Sequence, residues 1–181
     1  MKQKIQIRCK NNKKSQKVEI GSTLFDVFSS FDLKMTHGPV SARVNNKVEG
    51  MHYRVYNSKD VEFLDMNSAS GSRAYTRTLF FVLCKAVQDI YPNTDVVIDI
   101  PVSNGFYVDI RLGRPVVDED VNILRRRMQE IIDSKMPIRR FTVPTEEAIA
   151  LFQEKGDVEK VKLLRTSGSI YTTYYKIGEY V

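Results

Sequence analysis

With 181 residues, 42% of them apolar and 28% charged, the chain has the composition of a soluble globular protein, with room for one large domain or two small ones. It is neither fibrous nor disordered in composition. No apolar run approaches the roughly 18 residues that cross a bilayer, and the opening MKQKIQIRCK lacks the apolar stretch of a signal peptide, so the expectation is a cytoplasmic protein with no membrane partner. Cys9 and Cys84, with His37 and His52, fit neither a disulfide framework nor a zinc-ligand spacing, and no metal site is expected.

The net charge of +6 belongs to the first third: residues 1–66 hold twelve Lys and Arg against seven Asp and Glu, whereas residues 67–181 hold sixteen against fifteen. Residues 1–17 carry Lys2, Lys4, Arg8, Lys10, Lys13, Lys14 and Lys17 and no acid. Two readings stay open for this cluster. It is either a solvated, lysine-rich edge that discourages sheet-to-sheet association, or a positive field that draws the phosphates of a nucleic acid or nucleotide.

Lys4 to Cys9 alternates polar and apolar residues as a half-buried strand does, Asn11 and Asn12 make a turn, and Lys17 to Ile20 continues as a second strand. Ser22 or Thr23 then caps a helix carrying Leu24, Phe25, Val27, Phe28 and Phe31. Gly38 and Pro39 break the chain before a strand at Val40 to Val44, and Val61 to Leu64 is the last strand. The order predicts a small mixed sheet curled over one helix, a β-grasp arrangement. Met66 to Ser72, MNSASGS, is a linker or helix entry.

A second hydrophobic pattern starts there. Leu79, Phe80, Val82, Leu83, Ala86, Val87 and Ile90 form the apolar stripe of a helix over about 72–91, on which Cys84 is expected as an inert core residue, and Pro92 ends it. Val96 to Ile100 and Phe106 to Leu112 are predicted strands joined through Ser103, Asn104 and Gly105. Asp118 is expected to cap a helix with Val121, Leu124, Met128, Ile131 and Ile132 inward, Thr145 to cap another, and Asp157 a short one through Leu164. Ser169 to Val181, rich in Tyr and Thr, should be extended. Arg125, Arg126, Arg127, Arg139 and Arg140 read most simply as solvated, salt-bridging faces.

The ordered succession Tyr91-Pro-Asn-Thr94, PVSNGFYVD from Pro101, Asp118-Glu-Asp120 and FQEKGDVEK from Phe152 to Lys160 resembles the second additional domain of threonyl- and alanyl-tRNA synthetases. The first 65 residues, with GPVSARVNNKVEG from Gly38, resemble the TGS β-grasp module that precedes it. The resemblance implies an α+β protein: a TGS-like domain at 1–66, then a larger domain at 67–181 with helices packed on a mainly antiparallel sheet, similar to the editing domain of threonyl-tRNA synthetase and expected to be cut short at its C-terminal end. Editing synthetases carry an HxxxH pair here at positions that fall on Arg77 and Phe81. Residues 53–181 contain no histidine, so deacylation is disfavoured by residue type. The lysine of the GD/ExxK segment is kept as Lys160.

The degenerate helix and the ending YTTYYKIGEYV also resemble the N-terminal region of bacterial nucleoside (uridine) kinases, in which such domains precede a P-loop domain. This resemblance implies a non-catalytic binding or regulatory region of an ATP- and magnesium-dependent transferase, with the kinase domain of the same parent chain, RNA or a nucleotide as partner. The 181 residues contain no GxxxxGK(S/T), and no cofactor is expected in them. The alternative is an RNA- or tRNA-binding region of a synthetase-like protein. Candidate contacts are Lys4, Arg8, Lys10, Lys13 and Lys14 for nucleic acid, and Arg73, Arg77 and Lys160 for an anionic ligand in a remnant cleft, with no catalytic residue.

Overall fold

The computed structural model describes residues 3–103 and 105–181; Lys2 and Asn104, named above, lie outside the described residues. Two compact units, Met1–Phe81 and Val82–Val181, divide the chain inside a 22-residue helix.

The first unit holds β1 (Lys4–Cys9), β2 (Ser15–Glu19), α1 (Leu24–Ser30), β3 (Ser41–Val44), β4 (Lys47–Gly50) and β5 (Lys59–Leu64) in one mixed sheet of order β2-β1-β5-β3-β4. Only the β1–β5 pair is parallel. The period-2 pattern of β1 sends Ile7 and Cys9 inward, into a core with Val18, Val61, Phe63, Ala42 and Val44 from the other strands, Leu24 and Val27 from α1 and Phe31 just past its end. Each fully buried Val, Leu, Ile or Phe contributes about 1.5–3 kcal/mol, so one helix over the sheet suffices to hold this small core. α1 starts as its sequence predicts: Thr23 accepts from the Asp26 N–H while the Asp26 carboxylate accepts from the Thr23 N–H, at 3.2 and 2.8 Å. β4 is an element that the sequence pattern does not announce; Asn45 and Asn46, at φ 48° and 147°, turn β3 back onto it.

α2 (Ala69–Ile90) leads into the second unit, which holds β6 (Val96–Val102), β7 (Gly105–Ile110), α3 (Asp118–Asp133), β8 (Ile138–Pro144), α4 (Thr145–Glu154), α5 (Val158–Thr166) and β9 (Tyr171–Ile177). The strands form two antiparallel ribbons, β6–β7 and β8–β9. Together with the first sheet they make the chain an α+β protein. Among the described residues no helix is long and apolar enough to cross a membrane.

Three local expectations are corrected. Asp118 and Thr145 are the first residues of α3 and α4 rather than their caps, which are Val117 and Pro144. The start of α3 is held from inside the helix, by the Asp120 carboxylate accepting from the Val117 N–H at 3.0 Å. The Thr145 hydroxyl instead donates to the Ser169 carbonyl at 2.6 Å, tying α4 to the residues that lead into β9. β8, third, was not anticipated as a strand at all. Asp157, by contrast, caps α5 as expected, accepting from the Lys160 N–H at 3.0 Å.

Asp120 does more than cap. Its side chain is 4% exposed, and it accepts both Arg114 Nη groups at 2.7 Å and the Tyr91 hydroxyl at 2.6 Å. Arg114, Tyr91 and the Val117 N–H hold its carboxyl far below the usual carboxylate range. A group titrating lower in the folded than in the unfolded chain stabilises fully above its unfolded value, near pH 4, and that stabilisation is lost as pH falls toward the folded value. Asp120→Asn is therefore expected to lower Tm by roughly 5 °C or more at pH 7, with the gap to wild type narrowing below about pH 4. Differential scanning fluorimetry from pH 3 to 8 checks this, and a gap independent of pH contradicts it.

Candidate functional site

The first candidate surface is the β1–β2 hairpin. Alternation along β1 puts Lys4 and Arg8 on the face opposite the core, about 13 Å apart at ~3.3 Å per residue, with Glu19 paired across from Lys4 and Lys17 across from Gln6. Lys10, Lys13 and Lys14 are exposed in the turn. Its geometry is fixed from within: the Asn11 amide bonds both the N–H and the carbonyl of Phe63, at 2.8 and 2.9 Å, and Asn12 bonds the Phe31 carbonyl and the Lys14 N–H. Lys13 sits at φ 60°, the left-handed region. The two asparagines thus spend their amides on the fold and leave the lysines outward, gathering three cations at one tip with two more along the strand.

The second candidate is a cleft of about 640 Å³ within the Val82–Val181 unit, lined among others by Cys84, Lys85, Phe152, Asp157, Lys160 and Tyr180. Lys160 extends over the Phe152 ring, 4.9 Å from its centroid, to the Asp157 carboxylate at 2.8 Å. Lys85 is bound to Asp89 at 2.7 Å, and Lys155 donates to the Glu179 carbonyl at 2.9 Å. Three lysines in all line the cleft against five carboxylates, so its local charge is negative.

Arg73 and Arg77 lie on α2 in the first unit, and neither lines this cleft; Arg73 donates to the Ser70 hydroxyl at 3.1 Å. Of the three residues assigned to a remnant anion site, only Lys160 is found here.

Cys84 is not the core residue its stripe suggests. Val82, Ala86 and Val87 take the buried face of α2, and Cys84 is half-buried on the cleft wall, hydrogen-bonded to the Tyr180 hydroxyl. Burial pushes the Cys84 thiol up, and burial together with the neighbouring thiol pushes the Tyr180 phenol up. Both keep their protons at neutral pH. Burial disfavours the Asp157 charge, yet the side chain and backbone N–H of Lys160 prevail and hold its carboxyl below the usual range. A protonated thiol, a protonated phenol and a paired carboxylate supply neither a nucleophile nor a general base at pH 7. Among the described residues no group of His, Cys, Asp and Glu could hold a metal ion. Tyr180 escaped the sequence reading because no local pattern marks it; only the return of the chain after β9 brings it beside Cys84.

No family model matches the chain. It is similar to threonine-tRNA ligases: 30% identical over 162 residues to that of Acetivibrio thermocellus, covering 89% of this chain and 26% of the ligase; 28% over 179 residues to that of Clostridium kluyveri, covering 98% and 28%; and 28% over 159 residues to that of Clostridioides difficile, covering 87% and 25%. The chain thus spans about a quarter of the length of these relatives. None of the three is a nucleoside kinase. The similarity supports the resemblance to threonyl-tRNA synthetases and favours the synthetase-like alternative over the kinase reading, which gains no support for itself or for its ATP and magnesium.

Because its thiolate is disfavoured and its sulfur half-covered, Cys84 in the native protein is expected to react with iodoacetamide at pH 8 on the order of tenfold more slowly than in the urea-unfolded chain. Peptide-level mass spectrometry resolves Cys84 from Cys9, and equal rates in native and unfolded protein contradict the placement.

Proposed function

We propose that this chain is a non-catalytic tRNA-binding region of a threonyl-tRNA-synthetase-like protein, with residues 1–66 and 67–181 as its TGS-like and second-additional-domain-like parts. The observation that carries this reading is similarity to threonine-tRNA ligases along 87–98% of the chain. The β1–β2 hairpin supplies the contact. Lys10, Lys13 and Lys14 at its tip, with Lys4 and Arg8 on the adjoining strand, present a positive strip to a phosphate backbone, where each neutralised phosphate releases counterions. The cleft is the weaker anion site, since Lys160 would first have to leave Asp157 in a surround rich in carboxylates. The missing histidines and the protonated Cys84 and Tyr180 speak against deacylation.

A salt titration tests the reading. Wild type is expected to bind tRNA weakly at low salt, with affinity falling steeply as salt rises. The triple variant Lys10→Glu/Lys13→Glu/Lys14→Glu should bind more weakly at every salt concentration, and its log–log slope should be shallower by about 2–3. Ser-tRNA should survive incubation with either protein. Equal binding by both would assign the cluster to solubility, and deacylation by the wild type would overturn the non-catalytic reading.

A further inference from the structure

The second unit hides a charge segregation beneath its near-neutral total. Residues 134–145 and 160–178 together contain seven Lys and Arg and no Asp or Glu. They include both strands of the β8–β9 ribbon and most of α5. Arg139, Arg140 and Lys176 lie on the ribbon itself, Lys176 with an ion pair to Glu179, whose own side chain is 95% exposed.

The ribbon has two different faces. On one, Phe141 stacks on Tyr174 with ring centroids 5.4 Å apart, Tyr174 meets the edge of Phe152, and Thr172 bonds Thr145 at 2.9 Å, so α4 covers that side. The register puts Pro144 opposite Tyr171, Thr142 opposite Thr173 and Arg140 opposite Tyr175 on the other. These six residues are exposed, Tyr171 by 64% and Tyr175 by 49%, whereas at the next pair on this face Ile138 is half-buried and Ile177 buried, so the open part ends at Tyr175. The Thr142 and Thr173 hydroxyls bond each other at 2.9 Å, pinning the two strands between the tyrosines. Two phenol rings and a guanidinium thus stand on the open face of a rigid ribbon, in an acid-free stretch of chain.

We infer that the open face of the β8–β9 ribbon binds single-stranded RNA, with Tyr171 and Tyr175 as stacking platforms for two bases and Arg140, across from Tyr175, beside the backbone of the base stacked there. The inference rests on the RNA-binding reading above and adds a second contact surface to it. Charge complementarity selects the occupant. Arg139 and Lys176 fall on the α4 side, so the open face carries the Arg140 guanidinium and no acid; exposed aromatic rings beside a cation suit a polyanion whose bases have π-faces to offer, and base–aromatic stacking is tolerant of sequence. Spacing selects the single strand: residues four apart on a strand stand about 13 Å apart, far beyond the ~3.4 Å step of stacked bases, so the bases must be splayed, which paired RNA does not allow.

The chain has no tryptophan, so Tyr171→Trp installs a unique fluorophore in the proposed site. Titration with a 12-nucleotide oligouridylate is expected to quench its emission, whereas a 12-base-pair RNA duplex should not. In anisotropy assays with the same oligouridylate, Tyr171→Ala/Tyr175→Ala should lose about tenfold or more in affinity, Tyr171→Phe/Tyr175→Phe should bind as wild type, and melting curves should verify that each variant is folded. The Lys10→Glu/Lys13→Glu/Lys14→Glu protein should keep the quenching when Tyr171→Trp is added to it. Absence of quenching, or equal affinity of the alanine variant and wild type, overturns the ribbon site while leaving the hairpin reading intact. If wild type binds neither tRNA nor oligouridylate, both readings fail together. A wild-type dimer that the alanine pair converts to monomer would assign the face to self-association and also overturn the site.

Discussion

A buried carboxylate has to be paired, and Asp120 meets that demand with donors on three residues from two separate stretches of the chain. The Tyr91 hydroxyl comes from just beyond α2, the Arg114 guanidinium and the Val117 N–H from the approach to α3, and Asp120 itself from the first turn of α3. The excursion through β6 and β7 is therefore closed at its base by one side chain. A second link reinforces the first, because Arg127 on α3 reaches Asp89 near the end of α2 at 2.9 Å. With α2 and α3 locked in this way, the wall of α2 that carries Cys84 and Lys85 has a fixed orientation, and the chain leaving β9 can bring Tyr180 against it. A carboxamide at position 120 would still fill the space but would no longer balance Arg114. The arrangement is specific to a carboxylate.

Function is argued from charge placement in both units, and the two cases differ instructively. In the first unit the cations are clustered in sequence, and the fold merely exposes three of them at a hairpin tip held by Asn11 and Asn12. In the second, cations and acids are equal in number along the chain to within one, so composition conceals the pattern. The two ribbon strands contain no acid, and pairing of β8 with β9 brings Arg139, Arg140 and Lys176 onto one ribbon. Where the acids do gather, in the cleft, each lysine is already held, by Asp89, by Asp157 or by the Glu179 carbonyl. An anion entering there meets held cations and surplus carboxylates, whereas one approaching the β1–β2 tip meets the exposed Lys10, Lys13 and Lys14.

The parts of this structure visible in the sequence are those set by local chemistry. β1 is legible from strict alternation, α1 from the reciprocal Thr23–Asp26 bonds, and the start of α5 from Asp157. What escapes depends on partners distant in sequence. β8, IRRFTVP, has two adjacent arginines and a terminal proline, and becomes a strand only through seven registered pairs with β9 some thirty residues on. Asp118, Glu119 and Asp120 are equally good helix-start residues by propensity, and only Arg114 and Tyr91 single out Asp120. The basic hairpin was readable as a candidate site from the sequence, whereas Arg77 and Lys160 could be associated only through the family resemblance, and they lie in different units. The Cys84–Tyr180 contact had no local signal, and the Tyr- and Thr-rich extended segment at 169–181 was legible without any sign of which of its faces would stay open.

The central claim is that RNA meets this protein on the β1–β2 hairpin and the β8–β9 ribbon and not in the cleft. Hydrogen–deuterium exchange of the 181-residue chain, with and without saturating tRNA at low salt, tests it most directly, because amide protection maps the contact without any substitution. The account predicts slowed exchange in peptides covering 8–15 and 138–144 or 171–177, with peptides covering 84–89 and 155–160 unchanged. Protection confined to the cleft peptides, with the β1–β2 hairpin and the β8–β9 ribbon exchanging as in the free protein, would contradict it.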